Sequence, residues 1–350
     1  MPYSLGSDAS THPTVAGNGS YRMSPLVPKR SGADSWAHML SPATLRRHHL
    51  NETVSARGGV RLRIVERPAR WMPPQELAGL VADLQAVVAA AVPGGDLDYG
   101  AASGDPARLD ASILTIAYNK DGRAIAFNAL ALMDCELRGQ QIEVLHLGLV
   151  VIDPAERASG LAGVLYGLTA FLLFARRQMR PLWISNVTQV PAVFGMVADA
   201  FDSVYPTSDP AQHQRYDHAH LARQIMARYR AVFGVGPEAG YDERRSVITN
   251  AYTGGSDNLK KRFDDAPKHR KEIHNETCGR ELDYDRGDDF LQIGQVTLRA
   301  ARSYFTRSSS VISPGALAMQ FGTRVLESMV APLVQWFDAR QQMGDLRPVQ

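Results

Sequence analysis

The run Val150-Val151-Ile152-Asp153-Pro154-Ala155-Glu156-Arg157-Ala158-Ser159-Gly160-Leu161-Ala162-Gly163 sets an apolar stretch, an Asp-Pro stop and a small-residue loop before a long apolar segment. Proline cannot donate to a sheet ladder, so Pro154 marks the end of a strand. Gly160, with Ala158, Ser159, Ala162 and Gly163 around it, lets the backbone come close to a bound group. A helix starting near Leu161 offers N–H groups without intrahelical partners and the positive end of its dipole. Strand end, loop and helix start together form a cradle for a phosphate or pyrophosphate, with Arg157 beside it. Just upstream, Glu143 and His146 lie on the run that leads into the cradle. Both can move protons, and an unperturbed histidine titrates near neutrality. Strand alternation puts them on opposite faces, so at most one faces a site there unless a bulge intervenes.

The spacing is neither Gly-x-x-x-x-Gly-Lys-Ser/Thr nor Gly-x-Gly-x-x-Gly. It reads Asp-Pro-x-x-Arg-x-x-Gly-x-Ala-x-x-Leu. This resembles the acyl-CoA-binding motif of the GCN5-related N-acetyltransferase (GNAT) family, Arg/Gln-x-x-Gly-x-Gly/Ala, with the strand before it and the helix after it. The resemblance implies that the loop N–H groups from Arg157 to Gly163 hold the CoA pyrophosphate. It further implies that backbone groups of Val150, Val151 and Ile152 hold pantetheine and the acyl carbonyl. The next strand, ending near Asn186, diverges from that one in the family, and the pantetheine sits in the gap. Glu143 and His146 occupy the strand where family members often carry a base. The family's frequent proton donor, a tyrosine in the following helix, is replaced here by Phe194, with Tyr205 and Tyr166 as substitutes to weigh.

These residues need elements to position them. Val60–Val65 alternates as a strand, and 75–92 is helical by composition and period until Pro93-Gly94-Gly95 stops it. Three strands follow as a meander: Ile113–Tyr118, Ala124–Glu136 and Gln141–Ile152. They are joined by Asn119-Lys120-Asp121-Gly122 and by Arg138-Gly139-Gln140. A helix over 160–177, a strand over 181–187 and a helix over 191–200 complete a core. The expected fold is α+β, a GNAT-type three-layer arrangement. Its central sheet is mixed, mostly antiparallel and splayed at the CoA site, with flanking helices. Three regions are expected: an irregular leader over 1–58, the acyl-CoA-binding core over 59–210, and a helix-rich C-terminal extension over 211–350 that packs on the core. In the extension Asp217 is a candidate cap for a helix over 218–233, and 246–252 reads as a strand. Residues 292–305 and 316–342 read as helices, the last with an apolar stripe suited to packing on the domain or on a second subunit in a homodimer.

The totals exclude several function classes. The chain has 350 residues, 45% hydrophobic and 21% charged, and a net charge of +2, too balanced to argue for nucleic acid. Its two cysteines, Cys135 and Cys278, offer neither a disulfide framework nor zinc spacing. No apolar run is long enough to span a bilayer and no signal-peptide pattern is visible, so a cytoplasmic location is expected. His213, His218 and His220 with Asp217 do not make a metal site, because residues two apart do not share a helix face. No metal cofactor is therefore expected. The basic runs Lys260-Lys261-Arg262 and Lys268-His269-Arg270-Lys271 suit the CoA 3′-phosphate, an acyl carrier protein or simply solvent.

The expected activity is transfer of an acyl group, acetyl by default, from CoA to a small-molecule or peptide amine. The amine attacks directly, and no covalent enzyme intermediate forms. His146 or Glu143 would accept the proton. A longer-chain acyl-CoA or an acyl carrier protein is the alternative donor. Competing expectations are a non-catalytic acyl-CoA sensor or scaffold of the same fold, and a Cys278-based hydrolase with His274 nearby.

Overall fold

A computed structural model describes residues 48–301 except 57–58, 93–96, 98–99, 160 and 178. The strands are β1 (Asn51–Ser55), β2 (Arg61–Glu66), β3 (Ser112–Tyr118), β4 (Ala124–Leu137), β5 (Gln140–His146) and β6 (Val150–Ile152). They continue with β7 (Leu182–Thr188), β8 (Asp202–Tyr205), β9 (Gly240–Asp242), β10 (Val247–Thr249) and β11 (Asp289–Val296). The helices are α1 (Pro74–Ala91), α2 (Pro106–Asp110), α3 (Leu161–Arg176), α4 (Pro191–Ala200), α5 (Tyr216–Arg228) and α6 (Glu272–Glu281).

One sheet joins all these strands in the order β1-β2-β3-β4-β5-β7-β11-β10-β9, with β6 on β4 and β8 on β11. The pair β5–β7 is parallel and the other pairs are antiparallel. The sheet is mixed, mostly antiparallel and flanked by helices, as expected. It also crosses the expected boundaries. Asn51–Ser55, read as leader, pairs with β2, and β11 from the extension lies against β7 of the core.

The alternation of β4 sorts the two layers. Leu130 and Leu132 face α3, whose Leu161, Leu165, Leu168 and Leu172 recur at helical spacing to cover that face. Phe127 faces α1, while Met133 and Cys135 face α5. The buried residues of α5 are His218, Leu221, Ala222, Ile225 and Met226, a stripe at i, i+3, i+4, i+7 and i+8. The hairpin turn between β4 and β5 places Arg138 and Gly139 at φ 54° and 77°, the two left-handed positions of a type I′ turn.

Four expectations are corrected. Gln141–Ile152 is two strands rather than one, for a reason given below. Residues 292–305 do not begin as a helix. Asp289–Val296 is a strand, because seven backbone pairings to β7 outweigh a local pattern that fits either element. The cap of α5 is Arg215 rather than Asp217, which instead pairs with Arg138 at 2.8 Å. No element was expected over 272–281, where the helix α6 forms. The leader through residue 47 and the helix expected over 316–342, with its dimer role, lie outside the described residues. Among the described residues no helix is long and apolar enough to cross a membrane.

Candidate active site

From His146 to Val150 the chain takes four steps while its partner β4 takes three, from Ala131 to Asn128. That extra residue is a β-bulge, and it is why the expected single strand breaks into β5 and β6. Gly148 sits in the bulge, where a Cβ would stand 2.2 Å from the Ala129 carbonyl oxygen. No other residue fits without moving β4. The Tyr166 hydroxyl, from α3, donates to the Gly148 carbonyl at 3.0 Å and braces the bend.

The bend opens the sheet. β7 pairs with β5 only from Trp183 to Ser185, opposite Val144 to His146. Beyond that point, among the described residues, β6 pairs only with β4, and Asn186, Val187 and Thr188 pair only with β11. The Leu147 N–H makes the last bond to β7, at the Ser185 carbonyl, and beyond it the backbone edges of Gly148–Ile152 and of Asn186–Thr188 face each other across a gap rather than across a ladder. A cavity of about 620 Å³ fills the gap, lined by both edges and bounded by Val92 at the end of α1 and by Phe233 after α5. This is the splay that the resemblance implied, and in this respect the fold is GNAT-like.

At the end of β6, Asp153 fixes the turn. Its carboxylate accepts from the Ala155 N–H at 3.0 Å and from Arg123 Nη1 at 2.7 Å. A 3-10 turn over Pro154–Ser159 then leads to α3 at Leu161. Strand, turn and helix start thus follow in the order expected of a phosphate cradle. Gly160 and the side chains of Arg157, Ala158, Ser159, Ala162 and Gly163 lie outside the described residues. Leu161 is buried in the α3 core cluster. Val150, Val151, Ile152 and Asn186 all line the cavity, and the buried Asn186 amide donates to Gln292 Oε1 at 3.0 Å.

The two expected proton acceptors separate. His146 lines the cavity, with its Nδ1 3.0 Å from Ser185 Oγ and its ring 5.1 Å from that of Phe233. Burial holds its pKa down at about 4, so the ring is neutral at pH 7 and a weak base. Glu143 does not line the cavity. It points to the α3 face, where Arg67 at 3.2 Å and Arg177 at 3.1 Å clamp it. The bulge lies after His146, so it does not bring the two residues to one face.

Sequence reasoning missed a second acid. Asp289, the first residue of β11, is 5% exposed and lines the cavity from the far side. The Tyr252 hydroxyl, also in the lining, donates to its Oδ1 at 3.0 Å. Burial pushes the Asp289 carboxyl up to about 7. The Tyr252 hydrogen bond opposes the rise and the neighbouring Asp288 adds to it. Asp288 itself is held by Arg286 at 2.6 Å, which separates the roles of the two adjacent acids. The sequence signal is the acidic turn Asp283-Tyr284-Asp285-Arg286-Gly287-Asp288-Asp289 leading into an apolar run. Its meaning depended on pairing with β7, which local pattern does not reveal.

Of the remaining candidates, Tyr166 and Lys261 line the cavity and the others do not. Tyr205 donates to the Arg244 carbonyl at 2.8 Å and does not line the cavity. Phe194 is fully buried, stacked 4.7 Å from Phe290. Cys278 is fully buried, and burial pushes its thiol up to about 12, so it is not a nucleophile at neutral pH. In the basic runs, Lys260 bonds the Asp285 carbonyl, Lys268 the carbonyls of Phe263 and Ala266, and Lys271 Asp199. Lys261 lines the cavity mouth. His218 gives its Nε2 to the Ser203 carbonyl at 2.8 Å and stacks on Tyr205.

No protein-family model matches the chain, and no curated protein matches it either. Among solved structures it is similar to a GNAT-family acetyltransferase from Streptococcus pneumoniae, with 16% identity over 44% of this chain and 92% of that one, at a TM-score of 0.26. It is also similar to a mutant of the AtaT toxin bound to the C-terminus of the antitoxin AtaR and acetyl-CoA, with 14% identity over 26% of this chain, at a TM-score of 0.22. AtaT complexed with acetyl-methionyl-tRNAfMet matches at 13% identity over 22% of this chain, with a TM-score of 0.19. The chain spans 59% and 55% of the length of the two AtaT chains, a little over half.

Proposed function

We propose that the protein is an acyl-CoA-dependent N-acyltransferase whose acceptor amine is deprotonated by Asp289. The observation that carries this reading is the gap between β6 and β7, which joins unpaired strand backbone on one side to a buried, near-neutral carboxyl on the other. Strand edges with free N–H groups suit an extended pantetheine arm and polarise an acyl carbonyl. The turn over Pro154–Ser159 and the start of α3 suit the pyrophosphate.

Chemistry then needs a neutral amine. The Asp289 carboxylate takes a proton from the substrate ammonium, and a pKa near the working pH is the efficient range for that transfer. The amine nitrogen attacks the thioester carbon, the C–S bond breaks, and the sulfur leaves as a thiol after gaining a proton from the attacking nitrogen. Tyr252, already donating to Asp289, is placed to pass protons between the carboxyl and the reacting atoms. Neutral His146 orients groups by hydrogen bonding instead of acting as the base. Acetyl is the default acyl group, and the acceptor is a small or peptide amine.

The test is thiol release from acetyl-CoA with a panel of primary amines. Asp289→Asn should lower turnover about 100-fold to 10,000-fold and remove a rise in rate centred near pH 7. Glu143→Gln should leave turnover within about threefold, because its charge serves an arginine clamp rather than the cavity. The opposite ranking would return the base to Glu143. The absence of the family tyrosine at Phe194 favours a second reading, a non-catalytic acyl-CoA sensor. Tight acyl-CoA binding without thiol release for any amine would select it.

A further inference from the structure

The helix α4 has two working faces. Ala192, Val193 and Met196 line the cavity, while Gly195 and Asp199 look toward the segment before α6 and its first turn. There Asp199, His269 and His274 bring one ligand atom each within 4.8 Å of the others. His274 is 4% exposed. Its Nε2 lies 3.4 Å from Asp199 Oδ1 but makes no hydrogen bond, and it is buried. His269 Nε2 lies 3.9 Å from Asp199 Oδ2, and the two imidazoles cross at 78° with centroids 4.7 Å apart.

Several features fit a bound cation. The other nitrogen of His274, Nδ1, lies 2.5 Å from Ser208 Oγ. In the tautomer in which Nδ1 donates to that hydroxyl, Nε2 carries a bare lone pair facing a carboxylate oxygen. A buried lone pair against an anionic oxygen is costly unless a cation sits between them. Gly195 makes room for the cluster: a Cβ there would stand 2.7 Å from His269 Cγ and from His274 Cδ2. Two groups would yield to a metal. Lys271 Nζ sits 2.7 Å from Asp199 Oδ1 as an alternative cation. The Lys271 backbone N–H donates to His269 Nδ1 at 3.2 Å, a bond that breaks when the ring proton moves from Nε2 to Nδ1 and frees Nε2 as a ligand.

We propose that Asp199, His269 and His274 form a binding site for a divalent transition metal, with Zn²⁺ the best match. Two imidazoles and a carboxylate are a zinc ligand set, completed by water. Ser208 acts from outside the shell, accepting from His274 Nδ1 when the metal holds Nε2. The ion would tie the end of α4 to the segment ahead of α6, and so fix the wall that α4 gives the cavity. This inference stands apart from the acyl-transfer reading, since it names no step of that reaction.

The experiment is titration of the chelator-stripped full-length chain with Co²⁺, read by its visible absorption bands, followed by competition with Zn²⁺. A single saturable site per chain is expected. Asp199→Asn keeps the side-chain shape and should weaken binding about 100-fold, as should His274→Ala. Lys271→Met removes the competing ammonium and should tighten binding about tenfold, a gain that misfolding does not imitate. The absence of saturable binding in the wild type overturns the site. Binding that is unchanged in Asp199→Asn and in Lys271→Met overturns it equally.

Discussion

On one side of the cavity a single run of sequence supplies the bulge at Gly148 and the edge of β6, and the turn and the start of α3 follow in the chain. On the other side Asn186–Thr188, Tyr252 and Asp289 arrive from three separate stretches and are assembled by the β7–β11 pairing. The first wall offers backbone groups and a neutral imidazole, and the second offers a carboxyl that titrates near neutrality. A donor with many polar atoms in a fixed chain can be held by a local motif. A base needs only one atom in the right place, so it can come from anywhere the fold brings it.

The sharpest way to break this comparison is at Gly148. Gly148→Val puts side-chain atoms into the Ala129 carbonyl, and either β4 moves or the bulge is lost. The expected outcome is destabilisation of about 3 kcal/mol or more, with loss of acyl-CoA binding even where the protein still folds. Chemical denaturation and calorimetry read the two effects separately.

A smaller effect probes the far wall through stability. The Asp289 carboxyl titrates near 7 when folded and near 3.8 when unfolded, so the folded state holds its proton more tightly. Its contribution is fully present below about pH 4 and is lost as pH rises through about 7. Asp289→Asn should therefore be the more stable protein at pH 8, by up to about 4 kcal/mol, and equal to the wild type near pH 3. His146 works in the opposite sense. Its folded pKa of about 4 lies below the ordinary imidazole value of 6.5, so its contribution is present above 6.5 and lost as pH falls toward 4. Denaturation midpoints across pH 3–8 for the wild type and Asp289→Asn separate the two slopes. A variant that is less stable than the wild type at pH 8 would mean that Asp289 is an ordinary ionised acid.

The sequence made the near wall readable because its signals are local. Pro154 ends a strand, Leu161 to Leu172 repeat at helical spacing, and Asp153 sits where a turn needs an acceptor. The meander was equally legible, since Asp121-Gly122 and Arg138-Gly139 are turn chemistry. The bulge was not, because Gly148 in an apolar run looks like a pause in a strand until the register on β4 is known. Residues 292–296 were misread as the start of a helix for the same kind of reason. An apolar run with Gln292 and Gln295 fits a helix or a strand, and only β7 decides. Asp289 heads that strand, so its place opposite the β6 edge was hidden with it. The Asp199–His269–His274 cluster joins two elements far apart in sequence, which spacing rules for metal ligands do not reach.

The most direct test of the central claim is calorimetric titration of the protein with acetyl-CoA, CoA and a long-chain acyl-CoA, with Gly160→Glu alongside. The account predicts saturable binding of acyl-CoA, of roughly micromolar affinity, that is abolished in Gly160→Glu, since a carboxylate in the loop before α3 would repel a pyrophosphate. Binding to none of the three ligands, or binding undiminished in Gly160→Glu, would contradict it.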